Sequence, residues 1–159
     1  MQGNWIAYSA LPGRGVRVGL YPANTLRRNA IWGNEGAGVL LTNDGNRMLP
    51  APVLTAVTPD KVSGTACPGC KVEVFSDDED EGRSYESTAV ADASGNFCLV
   101  LGSPLAGAYV TATATDGGGN TSGFSAPDTP AWRLYLPLVL RGLGGRQSSM
   151  QNGNRFFAR

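Results

Sequence analysis

Two places in this chain bring side chains of the right type close enough for chemistry: Cys67-Pro-Gly-Cys70, and the acidic run Asp77-Asp78-Glu79-Asp80-Glu81 before Gly82. A Cys-x-x-Cys pair does redox work when it opens a helix behind a strand, because the helix N-terminus stabilises the thiolate. Here the pair precedes Lys-Val-Glu-Val-Phe, a strand pattern, which disfavours that reading. Structural zinc needs four ligands, usually Cys and His, and the chain has three cysteines and no histidine. A disulfide remains, as suits an oxidising compartment. Cys67 and Cys70 can close their own turn and leave Cys98 a buried free thiol. Alternatively, Cys98 pairs with Cys67 or Cys70 across a sandwich.

The acidic run offers calcium chemistry. Carboxylates at 77, 79 and 81 followed by Gly82 approximate the spacing of a calcium loop, with Asp78 and Asp80 between them. Position 88, where such a loop places a bidentate acid, is Thr. The competing reading is a solvated acidic loop between strands. Four aromatics, Trp5, Tyr8, Tyr21 and Trp32, form a third group. Their rings can stack on sugars, or they can pack as core or ladder residues.

Catalytic readings lack their residues. With no histidine, Ser-His-Asp and Cys-His triads are excluded, and the commonest general base is gone. A glycosidase needs two carboxylates spaced across a cleft, whereas acids clustered in one loop repel and hydrate. Glu35 and Asp44 do not supply the acid and basic groups of a polysaccharide lyase. The expectation is a chain that is not an enzyme and needs no cofactor, with calcium the one candidate ion.

Formal charge is zero, but it is unevenly spread. Residues 1–50 carry five Arg against Glu35 and Asp44, and residues 131–159 carry five Arg and no acid. Between them, Lys61, Lys71 and Arg83 face eleven acids. An acidic centre argues against nucleic acid, which needs a basic face. No apolar run approaches membrane-span length; the longest, Leu134 to Leu140, contains Pro137. Met1 opens neither a basic nor an apolar leader. An exported protein would carry its signal upstream, and this chain would be the end of something longer.

The elements that position these groups read as all-β. In residues 1–49, Gly-x-Gly-Val recurs at 13–16 and 36–39, and Asn4 and Asn29 each stand two places before an Ile. Asn tolerates left-handed corners and stacks in ladders. A period in the low twenties predicts terminal rungs of a parallel β-helix, too few to bury a core alone. Pro50 and Pro52 mark a linker over 50–52. Seven short strands follow in residues 53–127: 53–57, 61–66, 71–75, 85–90, 96–101, 108–115 and 121–124. That spacing predicts a β-sandwich. Val72 and Val74 are expected to face its core, opposite Lys71, Glu73 and Phe75. Val110, Ala112 and Ala114 likewise oppose a Thr-rich, water-tolerant face. Residues 128–159 read as a spacer, an apolar motif and a flexible basic tail.

The residues GTACPGCKVEVFSD (64–77), ADASGNF (91–97), YVTATATD (109–116) and GNTSGFSAP (119–127) resemble an immunoglobulin-like module near the ends of large exported proteins of Chloroflexi-type bacteria. NAIWGNEGAGVLL (29–41) looks like a rung of the right-handed parallel β-helix that often precedes it. Tyr135-Leu136-Pro137-Leu138-Val139-Leu140-Arg141 is similar to a C-terminal motif of those proteins, which implies sorting or anchoring. The chain departs from them by running 18 residues past Arg141. The resemblance implies an extracellular or cell-surface structural module that caps a β-helix. Two alternatives accompany it: an adhesion module that binds a glycan or calcium, and self-assembly through open rung edges. The partners to expect are a cell envelope, a polysaccharide or another copy of the chain.

Overall fold

The computed structural model describes residues 3–10 and 13–131. Its strands are β1 (Trp5–Ala7), β2 (Val16–Gly19), β3 (Ala30–Trp32), β4 (Val39–Thr42), β5 (Val53–Thr58), β6 (Lys61–Thr65), β7 (Lys71–Asp77), β8 (Ser84–Val90), β9 (Asn96–Val100) and β10 (Tyr109–Thr115). The motif at Tyr135–Arg141 lies outside the described residues. No helix among the described residues is long and apolar enough to cross a membrane.

In the first part of the chain every strand pairing is parallel. β1 lies beside β3 with Ile6 opposite Ile31, and β2 beside β4 with Val16 opposite Val39. The echoes read in the sequence are therefore lateral neighbours. Asparagine side chains reinforce the stack: Asn29 Oδ1 accepts the Asn4 backbone N–H at 3.0 Å, and Asn34 Oδ1 accepts that of Ser9 at 3.2 Å. The corners use left-handed backbone, as expected of Asn43 and Asn46, but also at Tyr8, Leu20, Ala23 and Arg28. Such residues pay a steric cost that persists only where the surroundings hold them.

Residues 53–115 form two three-stranded antiparallel sheets, ordered β10-β7-β8 and β5-β6-β9. One core joins them, with Val57, Val62, Phe97 and Leu99 from one sheet against Val72, Val74, Val110 and Ala112 from the other. The alternation in β7 and β10 thus points the expected valines and alanines inward.

Two expectations need correction. Residues 121–124 are not a seventh strand; Thr121 makes an isolated bridge to Thr115. Ser122 and Ser125 each donate a backbone N–H to β10, and each accepts one on its hydroxyl, from Ala114 and Ala112. Three residues thus span the distance of two on β10, so side-chain hydroxyls stand where ladder carbonyls would be. The outer face of β10-β7-β8 is also not wet. Glu73, Phe75, Thr111, Thr113 and Thr115 are all buried there, because the first 49 residues pack on that face. Phe75 and Phe124 meet edge to face at 5.6 Å, beside Ile31 and Val39.

Candidate functional site

The Cys67-Pro-Gly-Cys70 turn is closed by a disulfide with Cα atoms 5.4 Å apart. The turn feeds directly into β7, which explains why the pair serves structure there. Cys98 is free but exposed, a correction to the buried thiol expected from sequence. β9 alternates, and Phe97 and Leu99 take the core side, so Cys98 points outward.

The acidic run does not act as one group. Glu81 turns inward to the seam between the parallel strands and the sandwich, where it is fully buried. Its Oε2 accepts the backbone N–H of Asn34 at 3.0 Å, and its Oε1 accepts Asn34 Nδ2 at 3.1 Å. Burial pushes the Glu81 carboxyl above the usual carboxylate range, and the Asn34 N–H groups pull it partly back. Asp78, Glu79 and Asp80 point to solvent. No cluster of three or more His, Cys, Asp or Glu among the described residues is placed to hold a metal. The five candidate calcium ligands are thus split: Glu81 lies in the seam, Asp77 is buried at the end of β7, and Asp78, Glu79 and Asp80 are exposed.

Asp77 closes β7 at the edge of the loop. It is 6% exposed, and desolvation raises its carboxyl above the ordinary aspartate range, opposed by the backbone N–H groups of Asp78 and Arg83. Oδ1 accepts the Asp78 N–H at 2.7 Å. Oδ2 is buried and has no donor.

The seam is polar and almost fully paired. Glu73 Oε1 receives Arg27 Nε at 3.0 Å and its Oε2 the Arg28 backbone N–H at 2.8 Å. Asn46, fully buried, donates its amide to the carbonyls of Asn24 and Thr121 and accepts the Asn24 N–H. Asn120 Oδ1 takes the Ala23 N–H at 2.7 Å. Sequence reasoning put Glu73 on an outer face and gave no role to Arg27, Arg28, Arg83 or Asn120. The available signal was an acid in the middle of a strand whose alternate residues are valines.

Of the four aromatics, three gather. Tyr8 meets Trp32 edge-on at 4.7 Å, and Trp5 lies 6.5 Å from Trp32. The Arg83 guanidinium sits 5.2 Å above the Trp32 ring. Tyr21 stands apart from this group among the ring contacts, exposed at the β2 end of the segment. Between the aromatics and the acidic loop runs a cleft of about 200 Å³, lined by Tyr8, Trp32, Asp77, Asp78, Glu79 and Arg83. A larger groove, about 420 Å³, is bounded by Pro59, Pro104, Leu105 and Pro130. It has no ionisable side chain in its lining.

No curated protein matches the chain. Among solved structures, one described as "Structure of Protease" is 17% identical with a TM-score of 0.35, over 62% of this chain and 21% of that one. This chain thus spans a small part of that protein's length. A family model described as a bacterial Ig domain matches residues 50–129. That match takes in both sheets, the disulfide turn and the serine-bonded segment after β10. The chain belongs to the bacterial Ig domain family.

Proposed function

We infer that this chain is a non-catalytic structural module of a bacterial cell surface, in which the sandwich seals one end of a parallel β stack. The seam carries the inference. A free-standing sandwich would leave Glu73 and three threonines wet; here they are buried under residues 1–49. The two backbone bonds between Ile31 and Gly82 join a parallel strand to the loop after β7. In this reading β1–β4 are the last rungs of a parallel β-helix, and the sandwich hides the strand edges that would otherwise recruit neighbours. The family supports surface placement, as does a disulfide suited to an oxidising compartment.

Cys98 provides the test. On intact cells producing the protein with its native export context, a membrane-impermeant maleimide should label this exposed thiol. Labelling only after lysis would overturn the surface assignment. Hydrogen exchange tests the cap: residues 23–46 should be protected to the same level as β7 and β10. A sandwich that stays protected while the parallel strands exchange freely would sink it.

A second reading is self-assembly. β1 and β2 each pair on one side only, and an unpaired edge is a template for a further parallel strand. Sedimentation that depends on concentration would favour it over the cap.

A further inference from the structure

The cleft between the aromatic cluster and the acidic loop belongs to neither the cap nor the core. We propose that it binds an amine-bearing saccharide, with a sugar ring against Tyr8 and Trp32 and its ammonium and hydroxyl donors directed to Asp77, Asp78 and Glu79.

Three observations converge on it. The first is the aromatic platform. Trp5 is 74% and Tyr8 78% exposed, yet the rings are grouped rather than scattered, with Trp32 between them. Tyr8 holds its place with φ of 61°, a strained backbone for a side chain of that size. Gly33 lies against its ring, and a Cβ there would approach Tyr8 Cε1 to 3.2 Å. Backbone strain and a glycine recess both serve to set an exposed ring in position.

The second is the Asp77 carboxylate. A buried acceptor without a donor is rare in folded proteins and costs free energy. Asp77 lines the wall of this cleft and of a neighbouring hollow beside Ser76 and Gly107, and its buried Oδ2 is unpartnered. A small shift of the loop that admits a ligand O–H or N–H would satisfy it. Asp78 and Glu79, both exposed, extend the acceptor row away from the wall.

The third is electrostatic. Asp77, Asp78 and Glu79 face one guanidinium, that of Arg83. The Arg83 guanidinium rests on the Trp32 face, which leaves the carboxylates in excess along the cleft. A cleft of this sign favours an ammonium and repels uronates and sulfates. The carboxylates do not converge as a metal site would require, whereas a sugar ring meets acceptors spread along one side.

The proposal does not rest on the cap reading, and a different experiment tests it. The intact chain is titrated with glucosamine hexamer, followed by tryptophan fluorescence and calorimetry. Saturable binding is expected, weaker for the N-acetylated hexamer and absent for oligogalacturonate. Tyr8→Ala should weaken it about tenfold, the loss of one aromatic contact together with its polar tip. Asp78→Asn with Glu79→Gln should weaken it at least as much. These side chains are exposed, so an unchanged melting temperature confirms that the variants are folded. The proposal is overturned by absence of saturable binding, by binding that the loop variant retains, or by equal binding of oligolysine, which would indicate charge attraction without a sugar site.

Discussion

Glu73, on the middle strand of its sheet, holds Arg27 of the parallel segment by a charge-assisted bond of 3.0 Å between Oε1 and Nε. The carboxylate is 1% exposed and the guanidinium side chain 35%, so the two partners differ in what they lose when separated. Released, Arg27 can turn to water. Glu73 has only the Arg28 N–H left.

Arg27→Ala is therefore expected to destabilise the fold by about 1–3 kcal/mol, the cost of stranding a buried acceptor. Glu73→Gln should cost less, because the amide leaves no buried charge. The double variant should lose less than the sum, since both changes act on one contact. Urea denaturation of the four proteins checks this; additive losses would show that the pair is not coupled.

Asp77 and Glu81 predict a pH dependence. Desolvation raises both carboxyls, so the native state keeps protons that the unfolded state releases. Stability then falls as pH rises from the ordinary carboxylate range through the raised native values, and the cost is fully present above them. Asp77→Asn removes one such charge. It should gain roughly 1 kcal/mol at neutral pH, with the gain shrinking on acidification. Asp92 and Asp116 act in the opposite sense. The Asn96 N–H and the Asn120 side chain lower their carboxyls, so their contribution is lost as pH falls below the ordinary range. Melting curves of wild type and Asp77→Asn across the acid range would separate the two limbs.

Reduction of Cys67–Cys70 should cost about 2 kcal/mol, because the loop it closes is short and the chain entropy it removes is small. The double variant Cys67→Ser, Cys70→Ser should match reduced wild type in thermal melting. A loss far larger than this would mean that the turn, with Cys70 buried at 1% exposure, depends on the bond for its packing.

Ala23 has φ of 66° while its N–H is held by Asn120. Glycine adopts that backbone without a Cβ clash, so Ala23→Gly should stabilise by up to about 1 kcal/mol despite its larger unfolded entropy. A clear loss in denaturant midpoint would contradict the strain.

Local signals in the sequence carried the architecture. Valines at 72 and 74 and alanines at 112 and 114 alternate as strands do, and they are buried as that alternation requires. The echoes between Asn4 and Asn29 mark true neighbours. What stayed hidden is long-range. Nothing near Glu73 or Thr113 announces that residues 1–49 will cover them, because periodicity reports which face a side chain takes and not what lies over that face. The acidic run misled for a related reason. Its spacing along the chain suggested one site, but Gly82 pairs with Ile31 and draws Glu81 into the seam. The seventh strand was expected from the even spacing of short strands, whereas Ser122 and Ser125 meet β10 through their hydroxyls.

The seam also sets an order of events. Ala23 and Leu26 find their partners 97 and 95 residues later, in Asn120 and Thr121. A chain emerging from its N-terminus presents the parallel strands before the sandwich; Glu73 and Gly82 are the first of their supports to arrive, and Asn120 and Thr121 the last. Contacts of such sequence separation form slowly, so the parallel strands are fully secured only after the sandwich sequence is complete. In that interval the β3 edge that Gly82 later covers is open to other chains, and the rate at which the sandwich closes decides how long it remains so.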